Sequence, residues 1–262
     1  MKSSIFALTF CPVGIALVLT ALPASAATVM IVADRDTALF AAGSDNNLGA
    51  ADLVAGTAAN GQSARSLFSF DIAANVPAGS TINSVTFSIG VIRQSNLNQP
   101  SSYELHRFLK DWSEGSGTGN MGSAAANGDT TWNSQFHGNT LWSSPGGQAG
   151  DDYISSFSGV GSVIDFEDFL YQISSSPGLV SDVQGWLDTP ATNEGWMFIA
   201  TSEGTNGTAR RFSSTEVTGA VTGFLSTDLS PRIVVNFTAV PEPATAFLAG
   251  FGMLALLRRR RF

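Results

Sequence analysis

The 262-residue chain is poor in the residues on which most protein chemistry depends. It holds one cysteine, two histidines and only 13% charged residues, about half the quarter usual in soluble domains. Cys11 lies in an apolar stretch near the N-terminus, so disulfides, cysteine-ligated zinc and thiol nucleophiles are excluded from everything after it. His106 and His137 are too few to build a histidine zinc site without several supporting carboxylates. No Gly-x-Ser-x-Gly elbow accompanies them, and a serine triad would lack its strand-to-helix support. Positive charge is scarcer still. Against 21 Asp+Glu stand 13 Lys+Arg, a formal −8, and residues 27–239 hold eight basic and twenty acidic residues, a formal −12 with Lys110 as the only lysine. Such a field repels polyanions, so no nucleic acid partner is expected. No repeat of fixed period is present either, which argues against propellers and solenoids. What takes the place of charge is 27 Gly with 18 Phe and 5 Trp, too much aromatic surface for a disordered chain.

The two ends carry addresses. Met1 to Ala26 has Lys2 ahead of an apolar stretch from Ile5 to Leu22 and small residues at Ala24 and Ala26. This is the three-part pattern of a secretory signal peptide, with cut by signal peptidase expected after Ala26. At the other end Pro241, Glu242 and Pro243 precede the apolar segment Ala244 to Leu257, and Arg258, Arg259, Arg260 and Arg261 follow. Fourteen residues rise about 21 Å as a helix, short of a hydrocarbon core, and the arginine cluster stays on the cytoplasmic side. The order motif, apolar segment, terminal arginines resembles the PEP-CTERM sorting signal of Gram-negative bacteria. That resemblance implies a transient or retained inner-membrane anchor and recognition by exosortase, a membrane protease that cuts near the motif. It also implies delivery to the cell surface or the extracellular matrix. The expected organisation is signal peptide 1–26, body 27–239 and sorting segment 240–262.

The body reads as strands separated by turns. In Thr81 to Ile92, Val85, Phe87, Ile89 and Val91 share one face, with Ile82 out of phase. Residues 64–70, 101–110, 195–202 and 231–238 alternate similarly, and Asn75 to Ser80 is turn-prone. Leu179, Val183 and Leu187 have helical spacing, which predicts one short connecting helix over 179–187. The expected fold is therefore all-β, a jelly-roll-like antiparallel β-sandwich in one domain. Gly115 to Gly128 is expected as one long surface loop. Its Gly117, Gly119 and Gly122 spell G-x-G-x-x-G, but with no apolar helix behind them they do not make a dinucleotide site.

Several strings resemble the DNRLRE-domain family of exported β-sandwich modules related to carbohydrate-binding modules. They are ADRDTALFAAGSDNNLGA, ARSLFSFDIAANVPAGSTINSVTFSIGV, YELHRFLKDWSEG, DTTWNSQFHGNTLWSSPGG, LVSDVQGWLDTPATNEGW, ARRFSSTE and SPRIVVNF. The resemblance spans nearly the whole body and implies a module associated with extracellular polysaccharide.

Trp112 and Trp132 flank the glycine-rich loop and are the better candidates for stacking on a sugar, with packing in the core as the favoured alternative for each, whereas Trp186 and Trp196 are expected to pack. Binding of an acidic polysaccharide by so acidic a body needs a local basic patch, expected at Arg210 and Arg211, or bridging Ca2+. Calcium would be held by loop carboxylates, with Asp34, Asp36 and Asp45 as candidates and Asp151 with Asp152 as a second pair. The remaining acids with a chemical reading are Asp165 and Glu167, which share a strand face as a glycosidase or lyase pair would. No catalytic constellation is recognised, and the expected function is a non-enzymatic surface or matrix protein that associates with polysaccharide. The alternatives are a hydrolase or lyase using Asp165, and a purely structural scaffold.

Overall fold

A computed structural model describes residues 25–164, 170–216 and 229–240. The signal segment up to Ala24, the Asp165 to Asp168 acids and the sorting segment from Pro241, with Arg258 to Arg261, lie outside the described residues. Ser25–Val240 forms one compact unit.

In chain order the body contains β1 (Ser25–Val32), β2 (Arg35–Phe40), the two-residue β3 (Asn46–Asn47), β4 (Leu53–Thr57) and β5 (Ser63–Ser69). A single turn, α1 (Ile72–Asn75), leads to the long β6 (Thr81–Gln94) and to β7 (Tyr103–Arg107). Four short strands follow, β8 (Ser123–Ala124), β9 (Ser134–Phe136), β10 (Thr140–Leu141) and β11 (Gly159–Val160). The chain closes with β12 (Leu170–Ile173), α2 (Pro177–Asp188), β13 (Trp196–Ala200), β14 (Arg210–Phe212) and β15 (Arg232–Ala239).

The fold is all-β and sandwich-like. Its main sheet runs β1-β15-β6-β14-β4-β5-β13-β7-β11, with β12 also on β6 and β2 also on β5. The pair β14 and β4 joins the face built on β6 to the face built on β5, so one antiparallel sheet curls over its own core. The two faces meet through aromatic rings. Phe68 of β5 and Phe198 of β13 lie 5.4 and 5.9 Å from Phe87 of β6, centroid to centroid.

The alternation read in β6 is present, and its one anomaly has a cause. Asn236 of β15 pairs with Ser84, while the next residue, Phe237, pairs with Ile82. This bulge inserts Asn83 and resets the phase, so Ile82 joins Val85, Phe87, Ile89 and Val91 in the core. A second bulge, where Phe212 pairs with Val91 and Arg211 with Arg93, passes over Ile92.

The expected connecting helix is α2, longer by two residues at its start and one at its end. Ser176 caps it, its Oγ accepting from the Leu179 amide at 3.2 Å, and Pro177 occupies the first turn, where a missing N–H costs nothing. Leu179, Val183, Trp186 and Leu187 turn inward, and Trp186 meets Trp196 at 4.5 Å. Buried Asp182 on the same helix accepts from Trp196 Nε1 at 2.7 Å and Ser158 Oγ at 2.5 Å. The one-turn α1 was not anticipated; Asp71 caps it by accepting from the Ala74 amide.

The expected surface loop from Gly115 to Gly128 is largely exposed and irregular apart from β8, and it is anchored from beneath. It is wound around the buried Asn47, whose Nδ2 donates to the carbonyls of Glu114 (2.7 Å) and Thr130 (3.0 Å). Asn47 Oδ1 accepts from the amides of Gly49 (3.0 Å) and Gly117 (2.7 Å). A Cβ on Gly117 would stand 1.9 Å from the Asn47 carbonyl oxygen, so the close approach itself demands glycine there. Gly115, Gly117 and Gly122 all pack closely on Asn47, so the string resembles a nucleotide motif only in letters.

Candidate functional site: an arginine-lined groove and a buried carboxylate cluster

The groove lies over β4, β6 and β14. The β6 and β14 strands place Arg93 directly opposite Arg211, and side chains opposite one another on adjacent strands stand on the same face. Both line an open groove of about 520 Å3, within the range of small-ligand sites. Asn60, Asn96 and Asn120 add amides to its wall, and Phe40 and Met121 add apolar surface.

The two arginines differ in their surroundings. Arg93 is exposed and has no ion pair among the described residues. Arg211 is largely covered; its Nη2 donates to the Asn120 carbonyl, and its Nη1 stands 4.0 Å from Asp52. Burial pushes the Arg211 guanidinium below its usual range, Asp52 opposes that, and the charge on Arg93 adds to it. Two like charges are thus held side by side at the edge of an open groove.

Arg210, expected beside Arg211 at the surface, points the other way, as neighbours on a strand must. It is 1% exposed. Its Nη1 donates to the carbonyls of Gly207, Thr208 and Ala209 at 3.1 to 3.3 Å, and its Nη2 to Gln99 at 2.9 Å. The basic patch is therefore Arg93 with Arg211. The period-2 rule applied to Arg210 and Arg211 excludes one of them from any single face, but only strand pairing brings in Arg93, 118 positions earlier than Arg211.

Both candidate tryptophans pack, as the favoured alternative had it, and neither is an open platform. Trp112 is 1% exposed, donates from Nε1 to the Glu194 carbonyl at 3.0 Å and is covered by the Arg35 guanidinium at 4.4 Å. Trp132 is half-buried; Arg65 lies 5.7 Å from its ring, and a Cβ on Gly146 would stand 2.6 Å from it. Their hydrophobic area goes into packing the outer face of the sheet, where a second cluster gathers Leu39, Leu67, Phe108, Trp112, Trp142, Tyr153, Met197 and Ile199. His106 is also structural, its ring nitrogens 2.9 Å from the Ile154 carbonyl and from Glu104.

The carboxylates expected to hold calcium separate. Asp34 accepts from Ser69 Oγ at 2.9 Å. Asp45 accepts from Asn133 Nδ2 at 3.0 Å and lines a different cleft, beside His137 and Leu141. Asp152 is consumed by the amides of Ser143 and Gln148, and Asp151 next to it is exposed. Only Asp36 of the expected set joins a cluster. It meets Glu114 and Glu216, with one carboxylate oxygen of each lying within 4.8 Å of the others. Burial pushes the Asp36 carboxyl well above its ordinary range, and the charges of Glu216 and Glu114 push the same way against the hydrogen bond from the Thr215 amide. Burial raises Glu114 too, against the hydrogen bond from the Asp36 amide. Glu114 and Glu216 end the strings DWSE and RRFSSTE. Seventy-eight and 180 positions from Asp36, no local pattern connects them to it.

Residues 239–261 match the PEP-CTERM protein-sorting motif. No curated protein matches the sequence. The motif covers the Pro-Glu-Pro triplet, the apolar segment and the terminal arginines, and it implies export, processing by exosortase and a surface or extracellular location.

Proposed function

We propose that the exported body is a non-enzymatic binding module that holds acidic sugar residues of an extracellular polysaccharide in the Arg93 and Arg211 groove. The observation that carries this reading is the juxtaposition of two guanidinium groups in an open, amide-lined groove of an otherwise acidic protein. Adjacent like charges repel, and a carboxylate placed between them turns that repulsion into two charge-assisted hydrogen bonds. The amides of Asn60, Asn96 and Asn120 suit sugar hydroxyls, and Phe40 and Met121 suit the apolar faces of the rings. The resemblance of the body to the DNRLRE-domain family supports the same class of ligand. So does surface sorting, which delivers the groove to where such polymers are.

Affinity electrophoresis of the mature protein through gels containing a polyuronate or neutral dextran tests this reading. Retardation is expected in the polyuronate gel and not in dextran. Arg93→Ala should weaken it about tenfold, equivalent to ~1.4 kcal/mol, with the melting temperature unchanged because Arg93 is exposed. Unretarded migration of the wild-type protein in both gels would leave a structural scaffold. New reducing ends or unsaturated products in the same mixtures would make the protein a hydrolase or lyase instead.

A further inference from the structure

We propose that Asp36, Glu114 and Glu216 form a binding site for one hard divalent cation, Ca2+. The three acids come from separate parts of the fold: β2, the segment after β7 and the segment after β14. Each already gives one oxygen to a protein donor. Asp36 Oδ2 accepts from the Thr215 amide at 2.9 Å, Glu114 Oε1 from the Asp36 amide at 2.7 Å, and Glu216 Oε1 from Thr215 Oγ1 at 2.7 Å. These bonds orient the carboxylates, and none of them uses Asp36 Oδ1. Asp36 makes the need acute. It is 0% exposed, and its Oδ1 has no hydrogen-bond partner among the described residues. A buried carboxylate oxygen without a partner, beside two further carboxylates, is stable only when a cation or a proton accompanies it.

The protein's own cation nearby does not fill that role. Arg35 is adjacent in sequence, but its guanidinium is spent on the Trp112 carbonyl, Ser69 Oγ, Asp111 and Glu194. No ion pair links a described basic side chain to Asp36, Glu114 or Glu216. The donors are all carboxylate oxygens, with no histidine or cysteine, which selects a hard ion. Calcium tolerates irregular sets of six to eight oxygens completed by water, and exported modules bind it with dissociation constants on the order of 0.1 to 1 mM. A cation here would tie three segments together: β2, the segment that Asn47 grips through the Glu114 carbonyl, and the segment following Arg211. The site stands on its own residues and does not depend on what the groove binds.

The test is calcium titration of the purified mature protein after treatment with chelator and its removal, followed by calorimetry and thermal melting. One Ca2+ per chain is expected, with a rise of about 5 °C or more in melting temperature at saturating calcium. Glu216→Gln, at an exposed position, should keep the fold and lose at least tenfold in affinity. Asp36→Asn should abolish the calcium-dependent rise and melt no lower than the metal-free wild type, because it removes the like-charge repulsion. Absence of both heat and a melting shift at 10 mM Ca2+ would overturn the site and leave a proton as the partner of Asp36. An undiminished calcium shift in both variants would place the ion elsewhere and overturn it equally.

Discussion

Asn47→Ala is expected to lower stability by about 3 to 5 kcal/mol, among the largest effects of any single polar substitution in the protein. Asn47 is fully buried and uses both ends of its amide: two carbonyls, of Glu114 and Thr130, and two amides, of Gly49 and Gly117. Alanine leaves those four backbone groups without their partner, and a buried unpaired group costs about 1 to 3 kcal/mol, only part of which relaxation recovers. The loop cannot readily close over the gap, because it is already in contact: Gly49, Gly115, Gly117 and Gly122 each sit where an added Cβ would meet backbone or the Asn47 side chain at under 3 Å. For a body of this size the loss corresponds to a fall of roughly 6 to 20 °C in melting temperature. Urea unfolding should show a lower midpoint with an unchanged slope. A fall of less than 2 °C would mean that the loop does not depend on Asn47.

Arg210→Met should cost about 3 kcal/mol. Four carbonyls, of Gln99, Gly207, Thr208 and Ala209, share the guanidinium. Methionine replaces the stem and none of the donors. Thr208 keeps a second donor in Tyr103 Oη at 2.5 Å, Gly207 keeps the Gln99 amide at 3.0 Å and Ala209 the Ser95 amide at 3.2 Å, which is why the cost stays below the sum of four lost bonds. Arg93→Ala, on the same pair of strands, should change stability by less than about 0.5 kcal/mol. The two arginines thus separate structure from binding. Thermal melting and affinity electrophoresis of both variants check the division. A stable Arg210→Met protein that no longer meets polyuronate would reverse the roles assigned here.

Much of the fold was legible because it is written in local periodicity. The alternation of β6 and the i, i+4 spacing of Leu179, Val183 and Leu187 give the central strand and α2 within a few residues. Ile82 broke the pattern because a bulge is set by the partner strand, and β14, only three residues long, has too few residues to show a period. The site was less legible for the same reason. Arg93 with Arg211, and Asp36 with Glu114 and Glu216, are meetings of residues 78 to 180 positions apart, created by sheet order. Burial of the tryptophans likewise depends on distant partners: Trp112 lies under the Arg35 guanidinium and Trp132 against Gly146, and neither contact shows in the sequence around the ring. Composition hid the address as well: five of the 13 positive charges belong to the two terminal segments, so the body that acts outside is more acidic than the chain.

Intact mass spectrometry of the native mature protein, purified from the cells that make it, tests the sorting account most directly. The account predicts a chain that begins at Ala27 and ends near Pro241 to Pro243, with Arg258 to Arg261 gone. A mature protein that retains the four terminal arginines would contradict it.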